Sequence, residues 1–258
     1  MLLINPYRFA APEVPQTIAG LQLWLDATTG LYDATSGGSL VTTDSAAVAR
    51  WEDRSGNARH FTQSTLNNRP VLKTSQLNGK NIVSFDGTND AIANASSTLF
   101  RNVSGYTVFV VRKQKSTISS NKTVFTNGST IRFDMLQSAT NKIYPRSRRL
   151  STDGLATLTV ANNNTTPNNF EMFCALVDHS VTTCKFYKNG TLNASNTNFL
   201  TTGNTNDVSY NSVLGAFVTN GSTSPADIDV AEFLVYHGAL SDTDRGTIES
   251  YLTTKWGL

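Results

Sequence analysis

From Leu21 onward apolar and polar residues alternate. Leu21, Leu23 and Leu25 share one face of a stretch whose other face carries Gln22, Trp24 and Asp26, the period of two expected of a strand with one buried side. Runs of similar character, rich in β-branched and aromatic residues, recur at 48–51, 70–73, 82–85, 106–113, 123–126, 130–136 and 142–144. They continue at 156–161, 170–177, 182–188, 210–217 and 228–236. Between them stand Asn78-Gly79, Asp86-Gly87, Asn127-Gly128, Asp153-Gly154, Asn189-Gly190 and Asn220-Gly221, pairs that supply the positive φ of tight turns. The period changes once, near the C-terminus. Ile248, Tyr251, Leu252 and Trp256 fall at i, i+3, i+4 and i+8, one apolar stripe of a helix expected over about 242–255. Ser241 with Asp244 makes its capping box, and Lys255 and Gly257 close its last turn. The pattern predicts an all-β chain, a two-sheet antiparallel sandwich with one C-terminal α-helix.

Composition agrees with that picture and narrows the function. Hydrophobic residues make up 39% of 258, enough for one sandwich core, and only 16% are charged. A net charge of +2 gives no electrostatic footprint for nucleic acid, so no nucleic-acid partner is expected. The best apolar run, 106–111, is strand-sized and far short of a membrane span. The start of the chain differs in character: Leu2, Leu3, Ile4, Tyr7 and Phe9 are apolar, but the run breaks at Asn5-Pro6 and no basic residue precedes it. It is therefore read as a retained, extended arm and not a leader, with Pro6, Pro12 and Pro15 opposing a stable helix. Residues 1–19 are expected to anchor the domain, 20–258, to a neighbouring subunit, with packing on the chain's own domain as the alternative. Cys174 and Cys184 flank an expected hairpin turn and are read as buried free thiols. Neither they nor the isolated His60, His179 and His237 have zinc spacing. No nucleophile elbow, P-loop or dinucleotide fingerprint occurs.

Three motifs in order carry a family resemblance. They are L-Q-L-W-L-D-A at 21–27, W-E-D-R-S-G-N at 51–57 with V-S-F-D-G-T-N-D at 83–90, and the closing stretch 232–258 that ends in K-W-G-L. Together they resemble the concanavalin A-like (laminin-G-like) jelly-roll domains of many bacterial and bacteriophage surface proteins, over about 20–258. The resemblance implies a jelly roll and leaves function open, because that fold carries lectins, glycosidases, adhesion modules and spacers alike.

Four groups are candidates for chemistry. Asp227, Asp229 and Glu232 resemble the E-x-D-x-x-E catalytic strand of laminarinase-type glycosidases, with Asp in place of the first Glu. Trp51, Asp53 and Asn57 are candidate carbohydrate-binding residues, although the resemblance favours a core Trp and a hydrogen-bonded D-R-S-G-N turn. Asp86, Asn89 and Asp90, or Asn206 and Asp207, offer hard oxygens for calcium, the one cofactor considered, against a plain turn role. Lys142, Arg146, Arg148 and Arg149 form the densest positive stretch, read as a solvated loop. The resulting expectation is a non-enzymatic, homo-oligomeric bacteriophage virion component, located in the virion, tail or capsid. It would contact other virion proteins through its arm and a host surface glycan through its sandwich. A glycosidase or depolymerase using Asp227, Asp229 and Glu232 is the alternative.

Overall fold

The computed structural model describes residues 14–128, 132–160, 164–206 and 208–258, and its strands build two antiparallel sheets. The first runs in the order Thr191–Asn196, Thr183–Lys188, Phe170–Asp178, Gly105–Gln114, Asp227–His237, Lys80–Asp86 and Val71–Leu77. Leu21–Asp26 pairs with the second half of Asp227–His237. The second sheet runs Ala156–Thr157, Lys142–Ser147, Phe133–Ser138, Lys122–Asn127, Tyr210–Leu214, Ile92–Ser97, Phe61–Thr62, Arg50–Trp51 and Leu31–Tyr32. Leu23, Leu25, Phe85, Val110, Phe125, Phe133 and Phe233 fill the space between the sheets. The outer face of the first sheet is covered by the helix Asp242–Trp256, through Trp24, Phe109, Leu234, Ile248, Leu252 and Trp256. The molecule thus has three layers.

The helix follows its local signals. Ser241 Oγ accepts from the Asp244 N–H at 3.1 Å, and Gly257, at φ 69°, donates its N–H to Thr253 O at 2.8 Å. Several strands depart from the expected bounds for visible reasons. The run expected at 210–217 stops at Leu214, because Gly215 turns the chain at φ 91° against the Phe85 ring. Thr191–Asn196 escaped the pattern because it is an edge strand that gives the core only Ala194, its other side chains being exposed and mostly polar. The described residues of the expected arm start at Val14 and pack on the body. Residues Val14–Thr17 form one helical turn in contact with the closing helix, Pro15 is buried, and its carbonyl accepts from Tyr236 Oη at 2.9 Å. Proline is tolerated in a first helical turn, so 14–19 belong to the domain body. Leu2, Leu3, Ile4, Tyr7 and Phe9 lie outside the described residues. Both cysteines are buried and free, with Cys174 under the helix and Cys184 between the sheets.

A buried histidine gives the fold a pH dependence. His179 is fully buried, edge-on to Tyr106 at 5.8 Å, and neither ring nitrogen has a hydrogen-bond partner among the described residues. Burial, reinforced by Arg149, pushes its imidazole down to about 4. The unfolded chain therefore binds the extra proton first as pH falls. The contribution of His179 is fully present above about 6.5 and is lost on the way down to about 4, for a total of about 3 kcal/mol. Urea midpoints measured at pH 7 and pH 4.5 should differ more for the wild type than for His179→Leu. An equal difference in the two proteins would refute the assignment.

Candidate functional site

The acidic strand was the strongest catalytic candidate, and its geometry assigns it another role. Pairing of Asp227–His237 with Gly105–Gln114 shifts register between Val230 and Glu232. Ile228, Val230, Phe233 and Val235 thus point between the sheets, while Ala231, Leu234 and Tyr236 face the helix. Asp229 and Glu232 are brought to that same helix-side face. There Glu232 is sealed. Its Oε1 accepts from Trp24 Nε1 at 2.6 Å and Tyr251 Oη at 2.9 Å, and its Oε2 from Trp256 Nε1 at 2.6 Å and Lys255 Nζ at 2.8 Å. Lys255 Nζ also lies 2.8 Å from Asp26 Oδ2, which takes Arg54 Nη1 at 2.6 Å. Burial raises the Glu232 carboxyl, with Lys255 opposing. At Asp26 burial acts in the same direction, but Lys255 and Thr28 outweigh it and the net shift is downward. These groups clasp the helix to the sheet. Asp229 is held by Lys113 at 2.7 Å, and Asp227 by Lys115 at 2.9 Å and Ser116 Oγ at 2.7 Å.

In the W-E-D-R-S-G-N group the side chains hold the fold, the role that the family resemblance favoured over sugar binding. Trp51 is fully buried in the inter-sheet core, so no ring face is available to stack on a sugar. Asp53 organises the turn: its oxygens accept from the N–H groups of Trp24 at 3.0 Å, Ser55 at 2.9 Å and Arg59 at 2.9 Å. Asn57 Nδ2 donates to Leu21 O at 3.1 Å. The motif therefore ties the opening strand to its neighbour.

The calcium candidates are likewise occupied with their own turn. Asp86 Oδ1 accepts from the N–H groups of Thr88 at 2.8 Å and Asn89 at 3.2 Å, and Asp90 Oδ2 accepts from the Asp86 N–H at 2.9 Å. Asn89 Nδ2 donates to Asn68 Oδ1 at 3.3 Å. Burial pushes the Asp90 carboxyl up to about 6, with the charge of neighbouring Asp86 adding to the shift. No group of three or more His, Cys, Asp or Glu side chains arranged for a metal occurs among the described residues. Asp207 lies outside them. In the basic stretch, Arg146 is neutralised by Asp134 and Arg149 lies 3.4 Å from Asp153.

A groove that the sequence did not reveal lies on the second sheet. About 340 Å3 in volume, it is lined by Gly128, Tyr210, Asn211, Val213, Phe217 and Thr219, among others. Tyr210 and Phe217 are half-buried, and Asn211 is exposed. The Tyr210 ring lies so close over Gly128 that a Cβ there would come within 2.7 Å of it. Behind the ring, Arg132 Nη2 donates to Tyr210 Oη at 2.9 Å and the guanidinium carbon stands 5.1 Å from the ring centroid. The opposite wall is pinned as firmly. Buried Gln63 Nε2 donates to Thr219 O at 3.0 Å, Asn68 Nδ2 to Asn220 O at 2.9 Å, and the Phe217 N–H to Thr223 O at 2.9 Å. Two aromatic rings thus line the groove, one of them carrying a phenol, together with amide and hydroxyl side chains.

No family model and no curated protein matches this chain. Solved structures do. A Trypanosoma rangeli sialidase, in complex with 2-keto-3-deoxy-D-glycero-D-galacto-2,3-difluoro-nononic acid, superposes with a TM-score of 0.61 at 11% identity, over 98% of this chain and 36% of that one. A botulinum neurotoxin type G receptor binding domain superposes with a TM-score of 0.55 at 11% identity, over 90% of this chain and 51% of that one. This chain therefore spans about a third of the sialidase and about half of the toxin domain. At such identity the likeness is one of fold: the chain shares with both a β-sandwich framework.

Proposed function

We propose that this protein is a glycan-binding, non-enzymatic adhesion domain, and that the Tyr210–Phe217 groove is its binding site. The observation that carries the reading is two half-buried aromatic rings, fixed by Gly128, Arg132 and the pinned 217–223 loop, flanking an open hollow with Asn, Ser and Thr groups. Sugars present apolar C–H faces and polar edges, which rings and short polar side chains complement. Proteins that share the sandwich support the reading: one is a sialidase held with a sugar acid, the other a receptor binding domain. Catalysis by Asp227, Asp229 and Glu232 forms no part of the proposal, since two are ion-paired with lysines and the third is sealed under the helix. The bacteriophage setting rests on the family resemblance, and we carry it in the proposal as display of this domain to a host surface glycan.

Glycan-array screening of the wild type, followed by titration of the best ligand, tests the site. Tyr210→Ala and Phe217→Ala should each weaken binding tenfold or more in protein that remains folded; Tyr210→Ala should also lower the thermal midpoint, since it removes the phenol that buried Arg132 bonds, so Phe217→Ala is the cleaner test. Unaltered affinity in both variants would remove the groove from consideration. Hydrolysis of the bound glycan would overturn the non-enzymatic reading.

A further inference from the structure

Lys255, in the last turn of the closing helix, is pressed between two carboxyl groups from different strands. Its Nζ lies 2.8 Å from Asp26 Oδ2, at the end of Leu21–Asp26, and 2.8 Å from Glu232 Oε2, in the middle of Asp227–His237. The lysine side chain is 14% exposed, the aspartate 1% and the glutamate not at all. The rings of Trp256 and Trp24, with centroids 5.0 Å and 6.0 Å from Nζ, take up space where water would solvate the charge. In such surroundings an ion pair loses much of its advantage over the neutral acid and amine.

The other contacts of Asp26 are those that acyl transfer needs. Its Oδ1 accepts from the Thr28 N–H at 2.9 Å and from Thr28 Oγ1 at 2.7 Å, two donors fixed on one oxygen, the arrangement that stabilises an oxyanion. Its Oδ2, which faces Lys255, also takes Arg54 Nη1 at 2.6 Å, a donor that assists departure of that oxygen. With Nζ 2.8 Å from Oδ2, the carboxyl carbon one bond beyond lies within about 4 Å of the amine, close to the ~3–3.5 Å of a reacting pair. Burial raises the Asp26 carboxyl, and Lys255 is the largest influence holding it low. Passage of one proton from the ammonium to Asp26 therefore removes the charge that opposes it. Burial also raises Glu232, toward the range in which a carboxyl both takes up and returns a proton.

We propose that Lys255 and Asp26 join in an isopeptide bond, with Glu232 as the proton carrier. In the neutral pair the Lys255 amine attacks Asp26 Cγ, which forms the C–N bond and places charge on Oδ1 beside Thr28. Glu232 takes a proton from the nitrogen and delivers it to the protonated Oδ2. The Cγ–Oδ2 bond then breaks and Oδ2 leaves as one water. Ammonium and carboxylate thus become an amide with no other reagent, and Glu232 is regenerated. A hollow of about 360 Å3, lined by Asp26, Thr28, Thr29 and Lys255 among others, gives the water an exit. The bond ties the first long strand to the last helical turn and closes nearly the whole chain into a loop that unfolding cannot extend. Nothing in it depends on the Tyr210–Phe217 groove.

The test is mass spectrometry of the intact wild-type protein, held folded at neutral pH and then denatured, followed by a tryptic map. The bonded protein should be lighter than its sequence by one water, resist cleavage after Lys255 and yield a branched peptide that joins 246–258 to 9–50. The branched peptide is decisive, because cyclisation at another Asp also loses water but leaves the two peptides separate. Lys255→Arg, which keeps the charge, should show its full sequence mass. Glu232→Gln should contain at least tenfold less of the bonded form at equal age. Wild type that is cut after Lys255 and gives no branched peptide would overturn the proposal, and this map decides the question should either variant fail to fold. Water loss that persists in Lys255→Arg, or equal bonding in Glu232→Gln, would overturn it as well.

Discussion

Replacing Glu232 with alanine is expected to destabilise the protein by roughly 3–5 kcal/mol, the range found when one partner of a buried ionic cluster is removed. The substitution strands several donors at once. Trp24 Nε1, Trp256 Nε1 and Lys255 Nζ all point at Glu232 from within 2.8 Å, and its side chain is fully buried. Lys255 would keep Asp26, but the two indole N–H groups would face an apolar gap. Glu232→Gln should cost less, because the amide retains one acceptor oxygen, yet it cannot satisfy four donors. Trp256→Ala acts on the same clasp. The double substitution should therefore destabilise by much less than the sum of the singles. Chemical denaturation of the four proteins measures all these terms, and a Glu232→Ala midpoint within about 1 kcal/mol of wild type would show that the clasp does not hold the helix.

Gly221→Ala should act on stability and binding together. Gly221 sits at φ 71°, and an added Cβ would lie 1.7 Å from the carbonyl oxygen of Asn89. Both the positive φ and the backbone contact oppose a side chain, and neither neighbour is a flexible side-chain end that can swing aside. A loss of about 3 kcal/mol is expected from the strained conformation plus the forced shift. The loop that would have to move is the one whose Phe217 and Thr219 wall the groove. Glycan affinity should fall with stability, although residue 221 does not line the hollow. Wild-type affinity in a folded Gly221→Ala protein would dissociate loop placement from binding.

Elements governed by near neighbours in the chain were legible from the sequence. The helix was, because Ser241, Asp244, Ile248, Leu252, Trp256 and Gly257 act on each other within one or two turns. So were the long strands Gly105–Gln114, Phe170–Asp178 and Asp227–His237, whose continuous apolar runs reflect burial on both faces, between the second sheet and the helix. The closing motif was visible as a motif. Its chemistry was not. In a plain strand residues 229 and 232 point to opposite faces, and only the register shift at Ala231 turns both to the outer face of the sheet, where the helix covers Glu232. Whether a carboxylate is catalytic or structural then depends on what packs over it. Here that is Trp24 from about 200 residues upstream, together with Tyr251, Lys255 and Trp256. Trp51, for which the family resemblance favoured a core position, does lie wholly inward.

By itself, then, the sequence determined the two-sheet sandwich, its single substantial helix and the turns that space its strands, because alternation, capping and positive φ are local properties. Tertiary structure decided the rest. Gly128, Arg132, Tyr210 and Phe217 become one groove only after the second sheet pairs Lys122–Asn127 with Tyr210–Leu214 and Gly215 turns the chain out of the sheet. No periodic signal links positions some 80 residues apart. Their meeting is fixed by strand register and by what each side chain finds to pack against.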